Sequence, residues 1–180
     1  MLWHIVNRYE TLASITMFIQ GDVQNSKGVR PHTDLLAAQM RDKAFQTAFG
    51  QASTFGYAGN LKTFDMWDGI DWVNDAENAH WLAKSGTEMK MASITPRVFW
   101  QRNFGHDPPA SIMYAEASLL AVKADTVRLR PLSFYQTLLG YLVDDDHVNP
   151  EFEHYLERYW GEIFPLKSIA IQENSEAIPA

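Results

Sequence analysis

The feature that most constrains the fold is a short apolar run, Ile15–Ile19, which ends in the polar turn Gln20-Gly21-Asp22. The run is almost continuously apolar, without alternating polar residues, and this pattern is typical of a strand buried on both faces. Such a strand needs helices on both sides of its sheet, and periodic apolar spacing elsewhere predicts them. We therefore expect an α/β domain with helices packed on a small mixed sheet.

Apolar periodicity and capping residues predict where those helices lie. Leu2, Ile5, Val6 and Tyr9 recur at helical spacing from the first residue onward. Cap signals predict later helices that begin at Thr33 or Asp34, Asn74, Thr95-Pro96, Ser133 and Asn149-Pro150. The last helix is expected to present an apolar stripe made of Phe152, Tyr155, Leu156, Tyr159 and Ile163.

Two other segments are interpreted from their composition. Four glycines punctuate residues 50–71, so we expect a long loop there with little regular structure. The apolar segment Ser111–Val122 predicts either one bent strand or two strands. The six tryptophans belong either to the core or to an aromatic cleft, and the core is the commoner place for such rings.

Overall composition sets limits on the class of protein. The length of 180 residues suits one domain, which we expect to span residues 1–168, with a flexible tail at 169–180. A net charge of −7 disfavours nucleic-acid binding, and the absence of cysteine excludes disulfides, thiolate zinc sites and a cysteine nucleophile. The apolar runs are too short to span a bilayer, and we expect a cytoplasmic location.

Asp22 is the first candidate functional residue. In open α/β sheets, ligands bind beyond the carboxyl ends of strands, which is where Asp22 would stand. Gly21 would let backbone approach a ligand closely, and Gln20 can donate or accept hydrogen bonds. The alternative is that Asp22 is a solvated carboxylate in a turn.

Glu116 is the second candidate because it interrupts an apolar strand between two alanines. A carboxylate placed there needs a partner or a wet cleft, because burial without one is costly. The floor of a pocket would satisfy that need. The alternative is that strand alternation points Glu116 to solvent.

The last predicted helix supplies the third set of candidates. Glu153, Glu157 and Trp160 share a flank beside its apolar stripe. Repulsion between the two carboxylates could raise the pKa of one of them and supply an acid or base, whereas the alternative is a solvated flank. Arg158 lies roughly opposite the stripe and is expected at the surface unless another element covers that side.

Known short motifs give little further guidance. The histidines show no zinc-binding spacing, and GxGxxG, GxxxxGK[ST] and GxSxG are absent from the sequence. Asp65, Asp68 and Asp71 recur at three-residue spacing, which is compatible with oxygen ligands of a metal-dependent hydrolase. That hydrolase is the third functional hypothesis.

Four segments together resemble a family pattern: MLWHIVNRYETL, ITMFIQGD, IMYAEASLLAVKADTVRLRPLSFYQTLL and YLERYWGEIF. The pattern belongs to an uncharacterised domain family of bacteria and fungi. It reads as a Leu-His-His-Ile helix, a Phe-Leu-Gln-Gly-Asp strand end, a Gly-Ala-x-Phe-Ala-Val strand and a closing Glu-Arg-x-Trp-x-x-Ile-Phe helix. The family's layout resembles that of GT-A glycosyltransferases.

This resemblance implies a GT-A-like, Rossmann-like partial domain that transfers a sugar from a nucleotide sugar to a glycan acceptor. Asp22 would contact a metal ion, Mg²⁺ or Mn²⁺, or a ribose. Glu116 or Glu157 would be the catalytic base. The implied substrate-binding residues are Gln20, Gly21, Tyr114, Arg158 and Trp160. A non-catalytic binding or interaction domain is the alternative.

The chain departs from the family pattern at three places. Val23 follows Gly21-Asp22 where the family continues with an Asp-His type, and Glu116 replaces the glycine of the late strand. Met1 falls inside the Leu-His-His-Ile helix, whereas the family has a strand region ahead of that helix. The resemblance therefore implies an N-terminally truncated domain.

Overall fold

The structure is a computed structural model that describes residues 1–19, 30–41, 55–57, 61–86, 88–115, 119–143 and 149–164. The described helices are α1 (Leu2–Arg8), α2 (Arg30–Arg41), α3 (Ala76–Ser85), α4 (Pro96–Phe104), α5 (Ala124–Val127), α6 (Leu132–Val143) and α7 (Glu151–Ile163). The described strands are β1 (Ile15–Phe18), β2 (Phe55–Tyr57), β3 (Leu61–Phe64), β4 (Ile112–Ala115) and β5 (Leu120–Lys123). The expected mixture of helices with a small amount of sheet is confirmed.

The strands form two sheets rather than one. One sheet has the order β1-β5-β2, the other pairs β3 with β4, and every pairing between described strands is antiparallel. The segment Ser111–Val122 is two strands, and its halves β4 and β5 belong to different sheets. The prediction of a single mixed sheet therefore does not hold for the described strands.

The strand with the deepest burial is β5, not β1. Leu120, Ala121 and Val122 are at most 1% exposed because β5 lies between two strands in the middle of its sheet. In β1 only Phe18 is buried, and Ile19 just beyond it is 53% exposed. The apolar run correctly predicted a strand. Among the described strands, however, β1 lies at the edge of its sheet, and it is only partly buried.

The core is built around aromatic residues of α4 and α7. The ring of Trp100 packs edge-to-face against the rings of both Trp67 and Tyr159, with 5.3 Å between centroids in each pair. Such pairs each add about 0.5–1.5 kcal/mol beyond area burial. Trp67, Trp72, Trp100 and Trp160 are buried, whereas Trp3 and Trp81 are exposed. The core interpretation is thus confirmed for four of the tryptophans, and the predicted stripe of α7 faces this core.

Several element boundaries differ from the predictions. α2 begins at Arg30, not at Thr33 or Asp34, because Pro31 is tolerated in a helix's first turn. α6 begins at Leu132, one residue ahead of the predicted cap Ser133. The predicted loop over residues 50–71 contains β2 and β3. The error over β2 and β3 has a physical cause, since short strands are fixed by partners distant in sequence.

Cap identities also differ at two helices. Asp75, not Asn74, caps α3, and its carboxylate accepts hydrogen bonds from the backbone N–H groups of Glu77 and Asn78. α7 follows Pro150 without a side-chain cap, and the predicted cap Asn149 is buried instead. At α4 the predictions are confirmed, because Thr95 Oγ1 accepts a hydrogen bond from Val98 N and Pro96 opens the helix.

Helices α3 and α4 each end at a glycine in the left-handed conformation. Gly86 has φ 65° and Gly105 has φ 78°, values that L side chains rarely adopt. Within the described ranges, no helix combines the length and apolarity that a bilayer crossing requires. The predicted tail at 169–180 lies outside the described residues.

Candidate functional site

Arg158 of α7 is buried, contrary to the surface position expected from the sequence. Only 6% of the residue is exposed. α7 buries its apolar stripe in the core, and α7 also packs against β4 on another side. The sequence prediction was conditional on whether a second element covers this side, and the β3–β4 sheet provides that cover.

Three aromatic rings surround the guanidinium of Arg158. Its central carbon lies 5.4 Å from the ring centroid of Phe64, 5.8 Å from that of Trp72 and 5.2 Å from that of Tyr114. Cations within about 6 Å of an aromatic centroid are attracted by the negative face of the ring. The rings therefore hold the guanidinium in place and offset part of the cost of its burial.

The hydrogen bonds of Arg158 leave one buried nitrogen atom without a partner among the described residues. Nη1 donates to the backbone oxygen of His154 at 2.9 Å, one helical turn earlier. Nη1 also lies 4.0 Å from Oε2 of Glu157, the outer limit for an ion pair. Within the described residues, the buried Nε of Arg158 has no hydrogen-bond partner. Unused buried donors are uncommon in folded proteins, so the guanidinium of Arg158 is incompletely satisfied by the described residues.

Arg158 borders a cavity of about 260 Å³ between β3, β4, α3 and α7, which we name the Arg158 cleft. Phe64 and Tyr114 supply apolar surface, and the polar lining includes Lys62, Asp65, Asp75 and Asn78. Pockets for drug-sized ligands begin at about 300 Å³. The Arg158 cleft therefore suits a ligand of monosaccharide size better than an entire nucleotide sugar.

The polar wall of the cleft is held by interactions within the protein. Lys62 forms an ion pair with Glu77 of α3. Asp75 directs its carboxylate to the first turn of α3, where helix amides favour negative charge. Asn78 Nδ2 donates to the backbone oxygen of Asp71 at 3.2 Å. These contacts orient the wall before any ligand arrives, so binding would need little reordering.

His154 packs against aromatic rings next to the site. Its ring packs edge-on against Trp72 and Trp81, with centroids 5.0 Å and 4.5 Å away. Burial, and secondarily the charge of Arg158, lowers the pKa of His154 to about 4. His154 is therefore neutral near pH 7, and Arg158 carries the only positive charge of that pair.

The structure brings together some of the residues predicted from the sequence. Tyr114 and Arg158 meet in the Arg158 cleft, and Glu157 stands beside Arg158 with 27% of its side chain exposed. Trp160 is buried and stacks on Phe164 at 5.7 Å, away from the cleft lining. The remaining predicted site residues lie outside the described residues: Gln20, Gly21, Asp22 and Glu116.

Sequence reasoning missed the contribution of β3 and α3 to the site. The sequence does not single out Lys62 and Phe64 of β3, because the glycines of residues 50–71 predict a loop there. The alternation of Leu61-Lys62-Thr63-Phe64 is the signal that could have indicated a strand. Asp75 and Asn78 carry no comparable signal, because their role depends on how α3 packs.

Two of the three aspartates of the hydrolase hypothesis have separate local roles. A hydrogen bond from Arg97 lowers the pKa of Asp68, and backbone hydrogen bonds from Asn74 and Val73 lower the pKa of Asp71. Across the described ranges, no group of three or more His, Cys, Asp or Glu gathers as a metal site would require. The proposed metal ligand Asp22 lies outside those ranges, so metal binding stays a prediction.

Comparison with known proteins places the chain in a family. A search of curated proteins and a search of solved structures each found no match. The pattern of one family covers residues 1–178, nearly the whole sequence. The chain belongs to that family, DUF3431, whose description is "protein of unknown function".

Proposed function

We propose that this chain is a glycosyltransferase-like domain that transfers a sugar from a nucleotide donor, and that the Arg158 cleft holds the sugar. The observation that carries the proposal is the meeting of Tyr114 and Arg158 in one cleft of about 260 Å³. Small-ligand sites typically combine aromatic surface with a few placed polar groups. A sugar ring has apolar faces and hydroxyl edges, which match Tyr114 and the polar wall respectively.

Transfer requires a base that removes the proton from the acceptor hydroxyl. Glu157 is the described candidate, because its carboxylate is partly exposed beside Arg158. The acceptor oxygen would then bond to the sugar's anomeric carbon as the diphosphate leaves. Glu116 stays the second candidate. A divalent ion, Mg²⁺ or Mn²⁺, would neutralise the departing diphosphate, with Asp22 as its proposed ligand.

Calorimetry against a panel of nucleotide sugars, with and without Mn²⁺, tests this proposal directly. We expect at least one donor to bind, and Tyr114→Ala to weaken that binding at least tenfold. Met113→Ala is the matched control, because Met113 is the adjacent residue of β4 and is 56% exposed. If no donor binds, or if both variants bind equally well, the proposal is wrong.

A non-catalytic sugar-binding domain is the second candidate function. It is favoured by the engagement of two cleft carboxylates within the protein, Asp75 at the start of α3 and Glu77 with Lys62. On this proposal a sugar binds but no donor is consumed. Glu157→Gln separates the two candidates, since it should abolish turnover in a transferase and leave binding unchanged in a binding domain.

A further inference from the structure

We infer that the ligand of the Arg158 cleft carries an oxyanion, a carboxylate or a phosphate, which pairs with the guanidinium of Arg158. The inference rests on the proposed function, since it specifies which class of sugar the same cleft receives. Its starting point is a residue that is only 6% exposed, lines a cavity and keeps its Nε without a hydrogen-bond partner among the described residues.

The charge of Arg158 is incompletely balanced by the protein. A buried guanidinium is costly unless an anion and hydrogen bonds compensate it. The rings of Phe64, Trp72 and Tyr114 give only part of that compensation. The Glu157 carboxylate lies 4.0 Å from Nη1, beyond hydrogen-bond length, and it is partly exposed to water. An oxyanion in the cleft beside the guanidinium would supply the missing negative charge.

The carboxylate of Glu151 is buried near this site, but both of its oxygens already accept hydrogen bonds from other groups. Oε1 of Glu151 accepts a hydrogen bond from Trp72 Nε1, and Oε2 accepts one from Ala92 N, both at 2.8 Å. Glu151 therefore holds the segments around the site together and directs neither of these bonds toward Arg158. Neutral His154 cannot supply a negative charge either, because lowering its pKa only removes a positive one.

The carboxylates that line the cleft set the number of charges that a ligand can carry. Asp75 faces the amides of α3, and Glu77 pairs with Lys62, so both are locally compensated. Asp65 also lines the cleft and would repel a second anionic group. The fitting ligand is thus a monosaccharide with one oxyanion beside Arg158 and with hydroxyls toward Asp65. Its oxyanion is either the carboxylate of a hexuronate or the phosphate of a sugar monophosphate.

The Nε–Hε group of Arg158 gives a direct NMR test with the full chain labelled with ¹⁵N. The protein is titrated separately with glucuronate, glucose 1-phosphate, inorganic phosphate and glucose. We expect the Arg158 Hε resonance to shift with at least one charged sugar, which should bind at least tenfold more tightly than glucose. A response to glucuronate alone assigns the oxyanion to a carboxylate, and a response to glucose 1-phosphate alone assigns it to a phosphate.

Through-bond correlations within the arginine side chain assign the resonance in the unmodified protein, so the test does not depend on a folded variant. Arg158→Lys, where it folds, should lose the preference for charged sugars, whereas Arg102→Lys at an exposed site of α4 should keep it. If glucose binds as tightly as the charged sugars, the inference is wrong and the proposed function stands. If inorganic phosphate alone shifts Hε and no sugar binds, the oxyanion site is supported and the proposed function falls. If no compound shifts Hε, the inference is wrong.

Discussion

The indole Nε1 of Trp72 donates a hydrogen bond of 2.8 Å to Oε1 of Glu151, a residue 79 positions later in the chain. The other oxygen of Glu151 accepts the backbone N–H of Ala92 at 2.8 Å. Glu151 is 3% exposed, so one buried carboxylate joins the segment before α3, the segment before α4 and the first turn of α7. Trp72 in turn forms part of the ring set around Arg158.

The first prediction concerns that carboxylate. Glu151→Ala leaves the donors of Trp72 and Ala92 buried without an acceptor, and should lower the free energy of unfolding by about 3 kcal/mol. Urea denaturation followed by tryptophan fluorescence measures this change. Glu153→Ala, two residues along α7 at an exposed position, should change stability by less than about 0.5 kcal/mol. Equal effects of the two variants would contradict a structural role for Glu151.

The second prediction concerns stability at acid pH. Because the pKa of His154 is lowered to about 4 in the folded protein from 6.5, the unfolded state takes up the proton more readily. The stability that neutral His154 contributes is complete above pH 6.5 and is lost progressively as the pH falls toward 4. The loss should be on the order of 2–3 kcal/mol. Urea titrations at pH 7, 6, 5 and 4 measure it.

His154→Gln provides the comparison for that measurement. It should flatten the dependence of unfolding free energy on pH between 6.5 and 4, because the titrating group is removed. His80→Gln is the matched control at an exposed position of α3 and should keep the slope of the unmodified protein. A slope that survives in His154→Gln would show that other groups dominate acid unfolding.

Much of the helical framework could be predicted from the sequence, because its signals are local. α4 follows from its cap and the start of α1 from its apolar spacing, and each signal lies within a few residues of the sequence. The sheet arrangement could not be predicted in the same way. β4 and β5 follow each other closely, yet β4 pairs with β3 and β5 with β1 and β2. Only contacts between distant segments decide that division.

The third prediction distinguishes the observed cap of α3 from the one expected from sequence. Asp75→Ala removes an acceptor from the N–H groups of Glu77 and Asn78, and should destabilise the protein by about 1 kcal/mol. Asn74→Ala removes only exposed contacts with Asp71, and should cost less than half as much. Thermal unfolding of the two variants measures the difference, and a larger loss for Asn74→Ala would reverse the assignment of the cap.

The fourth prediction compares two glycines. Gly140 lies inside α6, and a Cβ built there meets no atom within 4 Å among the described residues. Gly140→Ala should therefore stabilise the protein by about 0.5–1 kcal/mol. Gly86→Ala should destabilise by about 1 kcal/mol, because φ 65° is unfavourable for alanine. Opposite shifts of the melting temperature confirm the prediction, and shifts of the same sign contradict it.

The candidate site was only partly predictable for a related reason. The family resemblance implies Arg158 and Tyr114, but the burial of Arg158 depends on β3, which lies in a segment whose glycines predict a loop. The helical wheel of α7 shows which residues face away from its apolar stripe. It does not show whether a sheet packs on that second side. The polar wall contributed by α3 depends on the same packing, and so it was missed.

The segments that form the Arg158 cleft are far apart in the sequence, so they leave the ribosome at different times during synthesis. The Arg158 cleft uses β3 and α3 from the first half of the chain, β4 from the second half, and Arg158 near the end of the described residues. Until α7 has been synthesised, Trp67 and Trp100 lack the ring of Tyr159 that covers them in the folded protein. A nascent chain halted before α7 would therefore present exposed aromatic surface of the kind that chaperones bind.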